Sequence, residues 1–379
     1  MIKKIIICFC LLLIQTLLFA QVRVTFKTGN IAVFKTAAKS IFLAGDFNNW
    51  NPADTAWMLK QDQPGQYQLI KNIHKGKYSF KATKGSWDMV ECGTGGKDVA
   101  NRDIAIEHDT TITLNIADWK DNYPVQQKKH TASANVHIIS ENFDMPQLGR
   151  QRRIWIYLPA DYATSHKKYP VIYMHDGQNL FDEYTAGYGE WGIDEILDKL
   201  PVKDQCIIVG IDHGGEYRIT EYDPYDSKYG KGRGDDYVDF LAKTLKPYID
   251  NNYRTKKDAR HTTVAGSSMG GLISAYAVLK YPNVFGNAGV FSPAFWIAPD
   301  IYKYAQQVKL PAKTRFYFVC GNIESESMVP DMLKMDTILQ SKGLNVHSAP
   351  YTIMNGYKHN EQQWNTDFPA FYYWLIHGY

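Results

Sequence analysis

The sequence predicts two folded parts: a small β-sandwich domain, then a larger α/β domain in which helices cover a sheet. Three observations carry this. A chain of 379 residues exceeds one typical domain. The stretch after the first twenty residues reads as short β-prone runs about ten residues apart, with turn residues between them. From residue 136 onward, apolar strand-like runs alternate with helical patterns, the signature of a sheet covered on both faces.

The first element, "MIKKIIICFCLLLIQTLLFA" (residues 1–20), has the build of a secretory signal peptide. Lys3 and Lys4 form a positive start, Ile5 to Phe19 are mostly apolar, and the small Ala20 precedes a cleavage point at Gln21. The apolar run is short for a membrane span. Cys8 and Cys10 lie inside it rather than at its end, which argues against a lipoprotein signal. A secreted or periplasmic location without a stable membrane anchor is the expectation. Cleavage leaves Cys92, Cys206 and Cys320, an odd number that precludes a full disulfide framework. Cys206 and Cys320 sit in apolar runs and read as small core residues.

Residues 21–120 supply the β-sandwich, with runs such as "VRVTF", "SIFLAGDF", "YQLIKNI", "KYSFKAT" and "TITLNI". Residues 121–135 are polar, contain Pro124 and lack periodicity, so they read as a linker. Residues 136–379 then run "RRIWIYLP", "YPVIYMHDG", a helical "GIDEILDKL", "CIIVGIDH", and a long helical "DDYVDFLAKTLKPYIDNNY". After "HTTVAGS" and a helix come "NAGVFSP", "TRFYFVCG", a helical "MVPDMLKMDTILQSKG", "HSAPYTIM" and the closing "PAFYYWLIH". There are no internal repeats.

Composition narrows the partners. A net charge of +3 without a long basic run gives no electrostatic reason to expect nucleic acid. The 26 Tyr and 9 Trp exceed ordinary usage, and serve either aromatic cores or exposed rings that stack on sugars and phenolics.

One motif carries chemistry. In "TTVAGSSMGGLISAYAVLKYP", a β-prone run meets Gly266-Ser267-Ser268-Met269-Gly270 and passes directly into a helical pattern. Gly-x-Ser-x-Gly at a strand-to-helix turn is the nucleophile-elbow pattern, whose central serine is forced outward on a strained backbone. Ser268 is therefore the candidate nucleophile, with Ser267 as its neighbouring competitor. The helix N-terminus favours negative charge, and the Met269 N–H is placed to stabilise an oxyanion.

A serine needs a base oriented by an acid. In this chain order the acid and histidine follow the serine. Only His347, His359 and His377 do so, and His359 lies in a polar loop, "NGYKHNEQQW", before the terminal helix. Glu324, three residues past Gly321 at the end of an apolar strand, is the candidate acid, with Glu326 nearby. A second oxyanion donor should come from Gly177 or Gln178, after the strand ending in "HDGQ". His175-Asp176 and Asp212-His213 could be read as a metal cluster, but no ligand spacing repeats, and no metal or cofactor is expected.

From about Arg152 to Tyr379 the chain resembles the esterase D family, also called carbohydrate esterase family 1. The resemblance rests on "YPVIYMHDGQNLFD", "EWGIDEIL", "YVDFLAKTLKPYIDNNYRT", "VAGSSMGG", "YPNVFGNAGVFSPAFW", "CGNIESES" and "KHNEQQW". It implies an α/β-hydrolase fold, with Ser268 as nucleophile, His359 as base and Glu324 as acid. Many members carry Asp at that last place, so the glutamate is a departure that leaves Glu326 open. It also implies that Trp191, Asp194, Arg218, Glu221 and Tyr222 flank the pocket, with Trp191 and Trp296 as candidate substrate contacts. The first domain is similar to the immunoglobulin-like early-set sandwich of family 48 carbohydrate-binding modules. There the motifs are "SIFLAGDFNNWNP" and "YSFKATKGSWDMVECGTGGKDVANRDI". That resemblance implies a sugar platform of Trp50, Lys81 and Trp87, with Asn101 as a hydrogen-bond partner.

Three functions are compatible with these features. The first is a secreted esterase acting on feruloyl or acetyl esters of plant polysaccharide. The second is an esterase of siderophore trilactones. The third is a non-catalytic glycan-binding protein, against which the intact Ser268, Glu324 and His359 set argues. Acyl transfer in place of hydrolysis would depend on how water is excluded.

Overall fold

The computed structural model describes residues 21–34, 40–123 and 128–378; the expected signal peptide, 1–20, lies outside them. The chain divides into two compact units, Met1–Gln127 and Lys128–Tyr379.

The first unit is built of strands. They are β1 (Gln21–Ile31), β2 (Ile41–Gly45), β3 (Met58–Gln63), β4 (Gln66–His74), β5 (Gly76–Thr83), β6 (Glu91–Cys92), β7 (Arg102–Ile106), β8 (Thr110–Ile116) and β9 (Asp118–Trp119). Seven pair in the order β7-β5-β2-β3-β4-β1-β8, and β6 pairs with β9. Strict alternation in β1 turns Val22, Val24, Phe26 and Thr28 inward. Phe26, Leu43, Trp57, Phe80, Leu114 and Trp119 share that core, and Phe47 stacks on Trp57 with ring centroids 3.7 Å apart.

The expected linker, 121–135, is tied down at both ends. Lys120–Asn122 forms a helical turn of the first unit, where Asp121 meets Lys84 at 2.7 Å. The segment from Lys128 belongs to the second unit. Asp182 accepts from the Thr131 N–H (3.1 Å), and Asp194 accepts from the Ser133 N–H (2.7 Å). These ties are made by acidic side chains far along the chain, so a polar, aperiodic stretch conceals them.

The second unit carries β10 (Val136–Met145), β11 (Arg150–Tyr157), β12 (Val171–His175), β13 (Ile207–Ile211), β14 (Thr262–Ser267), β15 (Asn287–Phe291), β16 (Arg315–Gly321) and β17 (Tyr351–Met354). They form one sheet in the order β10-β11-β13-β12-β14-β15-β16-β17. The first two join antiparallel and the remaining six run parallel. All parallel strands therefore end on one edge, where open α/β sheets bind their ligands.

Helices α1 (Ile193–Asp198), α2 (Arg218–Tyr222), α3 (Gly234–Phe240), α4 (Lys246–Asn252), α5 (Met269–Lys280), α6 (Asp300–Gln307), α7 (Met328–Ser341) and α8 (Glu361–His377) complete it. Alternate strand residues feed separate cores. Val171, Tyr173, Phe316 and Phe318 pack with α3 and α5, whereas Ile172, Met174, Tyr317 and Val319 pack with α8. Helix α5 is buried from Met269 to Leu279, consistent with its apolar composition all round.

Three elements differ from expectation. The long helix over 235–253 is α3 and α4 joined by a π-helical stretch, Leu241–Leu245, just before Pro247. Proline supplies no N–H there, and the wider turn absorbs the break. The terminal helix begins at Glu361, eight residues before Pro369, because Asn360 caps it by accepting the Gln363 N–H at 3.0 Å. Helix α6 has no counterpart in the sequence reading. No helix among the described residues is long and apolar enough to cross a membrane.

Candidate active site

Ser268 stands between β14 and α5 with φ 58° and ψ −119°, a conformation costly for any residue with a side chain. Its N–H donates to Phe291 O (2.9 Å), and its carbonyl accepts from the Ala294 N–H (3.0 Å). The turn is crowded. A Cβ on Gly266 would lie 3.0 Å from the His175 ring and 3.1 Å from Gly270 backbone. On Gly271, just past the motif, it would lie 2.7 Å from Phe291 O. Ser267 is buried at the strand end, whereas Ser268 is partly exposed.

The acid and the imidazole meet at the ends of neighbouring elements. Glu324 follows β16, and its side chain is 1% exposed. Its Oε2 lies 2.7 Å from His359 Nδ1. Its Oε1 accepts from Ser292 Oγ (2.8 Å), Gln363 Nε2 (3.0 Å) and the Gly321 N–H. Burial alone would raise this carboxyl, but the bonds from His359, Gly321 and Ser292 outweigh it and hold it below its ordinary value. An imidazole donating from Nδ1 keeps Nε2 as an acceptor. Trp364 stands edge-on to the His359 ring at 5.1 Å and donates its indole N–H to Ser292 Oγ (2.9 Å).

Glu326, His347 and His377 are exposed. Ser292, Gln363 and Trp364 went unassigned in the sequence, although all three fall in quoted motifs. Ser292 follows β15, between β14 and β16, and links Glu324 to Trp364 through one hydroxyl.

The loop after β12 supplies the other wall. Asp176 has φ 58°, and Arg218 grips both its oxygens at 2.7 and 2.8 Å. Burial works to raise the Asp176 carboxyl, yet Arg218 holds it below its ordinary value. Gly177 opens a helical turn, Gly177–Asn179, and any Cβ there would lie 2.8 Å from backbone of Gly210 and Ile211. The first N–H groups of this turn and of α5 have no acceptor within their own helix. Gln178 Oε1 accepts from the His213 N–H at 3.2 Å.

Several expected pocket residues are structural. Trp191 is 3% exposed and packs on Phe291 and Trp364. Glu221 is fully buried, gripped by Arg152 (2.7 Å) and bonded by Arg150. Asp194 is fully buried beside Glu190 and Glu195. Burial, with Glu195 beside it, pushes Asp194 up to about 7. Arg218 is partly exposed and holds Asp176. Trp296 remains exposed, with Lys228 Nζ 5.9 Å from its ring.

The residues of the suspected metal cluster have other partners. His175 Nδ1 bonds the Tyr237 hydroxyl (2.8 Å), and Asp212 bonds Trp155 and Arg153. In the first unit the Trp50 and Trp87 rings lie 6.3 Å apart at 31°. Lys81 bonds the Val99 and Ala100 carbonyls, next to the exposed Asn101.

A family model described as putative esterase matches residues 145–372. The chain belongs to that family. It is a serine ester hydrolase of the α/β-hydrolase type. The esterase is similar to the uncharacterized protein YbbA of Bacillus subtilis, 26% identical over 245 residues, covering 59% of this chain and 92% of that protein. It is 26% identical over 184 residues to an endo-1,4-beta-xylanase/feruloyl esterase of Xylanibacter ruminicola, covering 47% of this chain and 23% of that one. To an iron(III) enterobactin esterase of Dickeya dadantii it is 31% identical over 150 residues, covering 40% and 32%. Among solved structures, a ferulic acid esterase matches 65% of this chain and 99% of its own, with TM-score 0.50 and 17% identity.

Two outcomes follow from this geometry. Arg218→Lys keeps the charge but loses the two-pronged grip on Asp176. Turnover of an activated aryl ester should fall roughly tenfold or more, with KM moving less; unchanged turnover would show that the loop holds its conformation without that grip. His175 is held neutral by burial, its pKa lowered from 6.5 to about 3. Between those values the unfolded chain binds a proton that the fold does not. The unfolding free energy of the wild type relative to His175→Gln should thus drop by about 1.4 kcal/mol per pH unit as pH falls below 6.5. Denaturant titrations at several pH values measure it, and a constant difference would refute the buried neutral ring.

Proposed function

We propose that the esterase hydrolyses feruloyl or acetyl esters carried on plant polysaccharide, with Ser268, His359 and Glu324 as its catalytic triad. The observation that carries the catalytic part is the 2.7 Å contact of His359 Nδ1 with Glu324 Oε2, which follows β16, next but one in the sheet to β14, the strand that leads into the strained Ser268. Ser268 Oγ attacks the ester carbonyl carbon while His359 Nε2 takes its proton, and Glu324 stabilises the imidazolium. The N–H groups of Met269 and of Gly177 or Gln178 receive the oxyanion. Collapse expels the alcohol, which takes the proton from His359 and leaves an acyl-serine. Water, deprotonated by His359, then releases the acid and restores Ser268.

The substrate class has separate support. The Trp50 and Trp87 rings form a paired apolar surface, suited to the C–H faces of pyranose rings. With Lys81 and Asn101 they would make a glycan platform on the first unit, whose sequence motifs resemble those of carbohydrate-binding modules. The relative from Xylanibacter ruminicola is named as a xylanase and feruloyl esterase. The secretory-signal pattern of residues 1–20 supports action outside the cytoplasm. A second reading, hydrolysis of siderophore trilactones, is favoured by the relative from Dickeya dadantii, named as an iron(III) enterobactin esterase.

With p-nitrophenyl acetate, the wild type should show a burst of one nitrophenolate per chain. Ser268→Ala should lose the burst and about 10³-fold or more of turnover; undiminished turnover would remove Ser268 from the mechanism. A panel of methyl ferulate, acetylated xylan and a catecholate trilactone separates the substrate readings. Preference for the trilactone would overturn the polysaccharide assignment. Trp87→Ala should weaken retention on insoluble xylan, and retention equal to wild type would contradict the platform.

A further inference from the structure

Glu190, Asp194 and Glu195 each offer one carboxylate oxygen, and these oxygens all lie within 4.8 Å of one another. Glu190 Oε1, Asp194 Oδ1 and Glu195 Oε2 are all buried and have no hydrogen-bond partner among the described residues. Asp194 is the decisive member. It is fully buried, one of its oxygens has no hydrogen-bond partner, and two other carboxylates lie beside it. A buried anion left in that state is costly, and three together are far more so.

Residues of the segment 128–135 hold one oxygen each of Glu190 and Asp194. Thr131 Oγ1 donates to Glu190 Oε2 (2.8 Å), and the Ser133 N–H donates to Asp194 Oδ2 (2.7 Å). In Glu190 and Asp194 one oxygen is thereby satisfied and the other is left without a partner. Three converging hard oxygens without nitrogen or sulfur are the donor set of calcium or magnesium, not of zinc or copper. Calcium tolerates a carboxylate-rich, irregular cage, whereas magnesium is usually held by one or two carboxylates and keeps several waters.

We propose that Glu190, Asp194 and Glu195 bind a calcium ion, which fastens the segment 128–135 to the start of helix α1. The ion neutralises the cluster and leaves the ester chemistry to other residues. It also braces Trp191, whose carbonyl accepts from Asn365 on α8, the helix that follows His359. Calcium therefore acts on stability rather than on the chemical step.

The test uses the full chain, stripped with chelator and titrated with CaCl₂ by calorimetry at neutral pH. One site per chain is expected, with magnesium binding more weakly. At about a hundredfold excess of calcium over its Kd, Tm should rise by roughly 5–10 °C relative to chelator. Glu190→Gln with Glu195→Gln should abolish both responses, while Glu183→Gln, an exposed neighbour, should keep them. No heat and no Tm shift in the folded wild type would overturn the proposal, and would mean that the carboxyls share protons instead. Binding that survives the double variant would overturn it equally, because the ion would then sit elsewhere. If the double variant fails to fold, the wild-type titration alone decides.

Discussion

The lack of space around Ser268 governs the rest of the second unit. A Cβ on Gly266 or Gly270 would be pressed to 3.0–3.2 Å from His175, and one on Gly271 would strike Phe291 O at 2.7 Å. With those positions emptied, β14 can turn into α5 within one residue, and that residue takes a positive φ. The strain, on the order of 1–3 kcal/mol, persists because a buried helix and a parallel sheet over-determine the turn. His175 is part of the same constraint. Its ring fills the space beneath the glycines and is held by Tyr237, so it supports the serine without touching substrate.

The charges around the turn are settled one by one. Glu324 and Asp176 are both buried carboxyls, and burial alone would raise both above their ordinary values. Each is instead held ionised, Glu324 by His359, Gly321 and Ser292, and Asp176 by Arg218. One orients the imidazole, and the other fixes the loop of Gly177 and Gln178. Glu221 is buried with equal completeness, and its partners Arg150 and Arg152 belong to β11, so its ion pairs tie helix α2 to that strand.

Much of this was legible in the sequence because a few residue types leave little choice. Gly-x-Ser-x-Gly between a β-run and a helix identifies the turn. Only three histidines follow Ser268, and only His359 lies in a polar loop between a strand and a helix. Glu324 could be placed from its distance to Gly321, and the 2.7 Å bond to His359 separates it from the exposed Glu326. The helix start at Glu361 was misplaced because Pro369 is a strong breaker signal, whereas the Asn360 cap is a weak one.

Burial of individual side chains was not legible. Glu221 reads as a pocket residue until Arg150 and Arg152, 71 and 69 positions away, are seen to neutralise it. Asp194 likewise depends on Ser133, 61 positions away. Trp191 stands in a motif beside the site, yet its indole faces the second core. The most direct test of the central claim is labelling with a fluorophosphonate, followed by peptide mass mapping. The account predicts one adduct per chain, on Ser268, greatly slowed by His359→Gln. An adduct on Ser267 or another residue, or equal labelling of that variant, would contradict it.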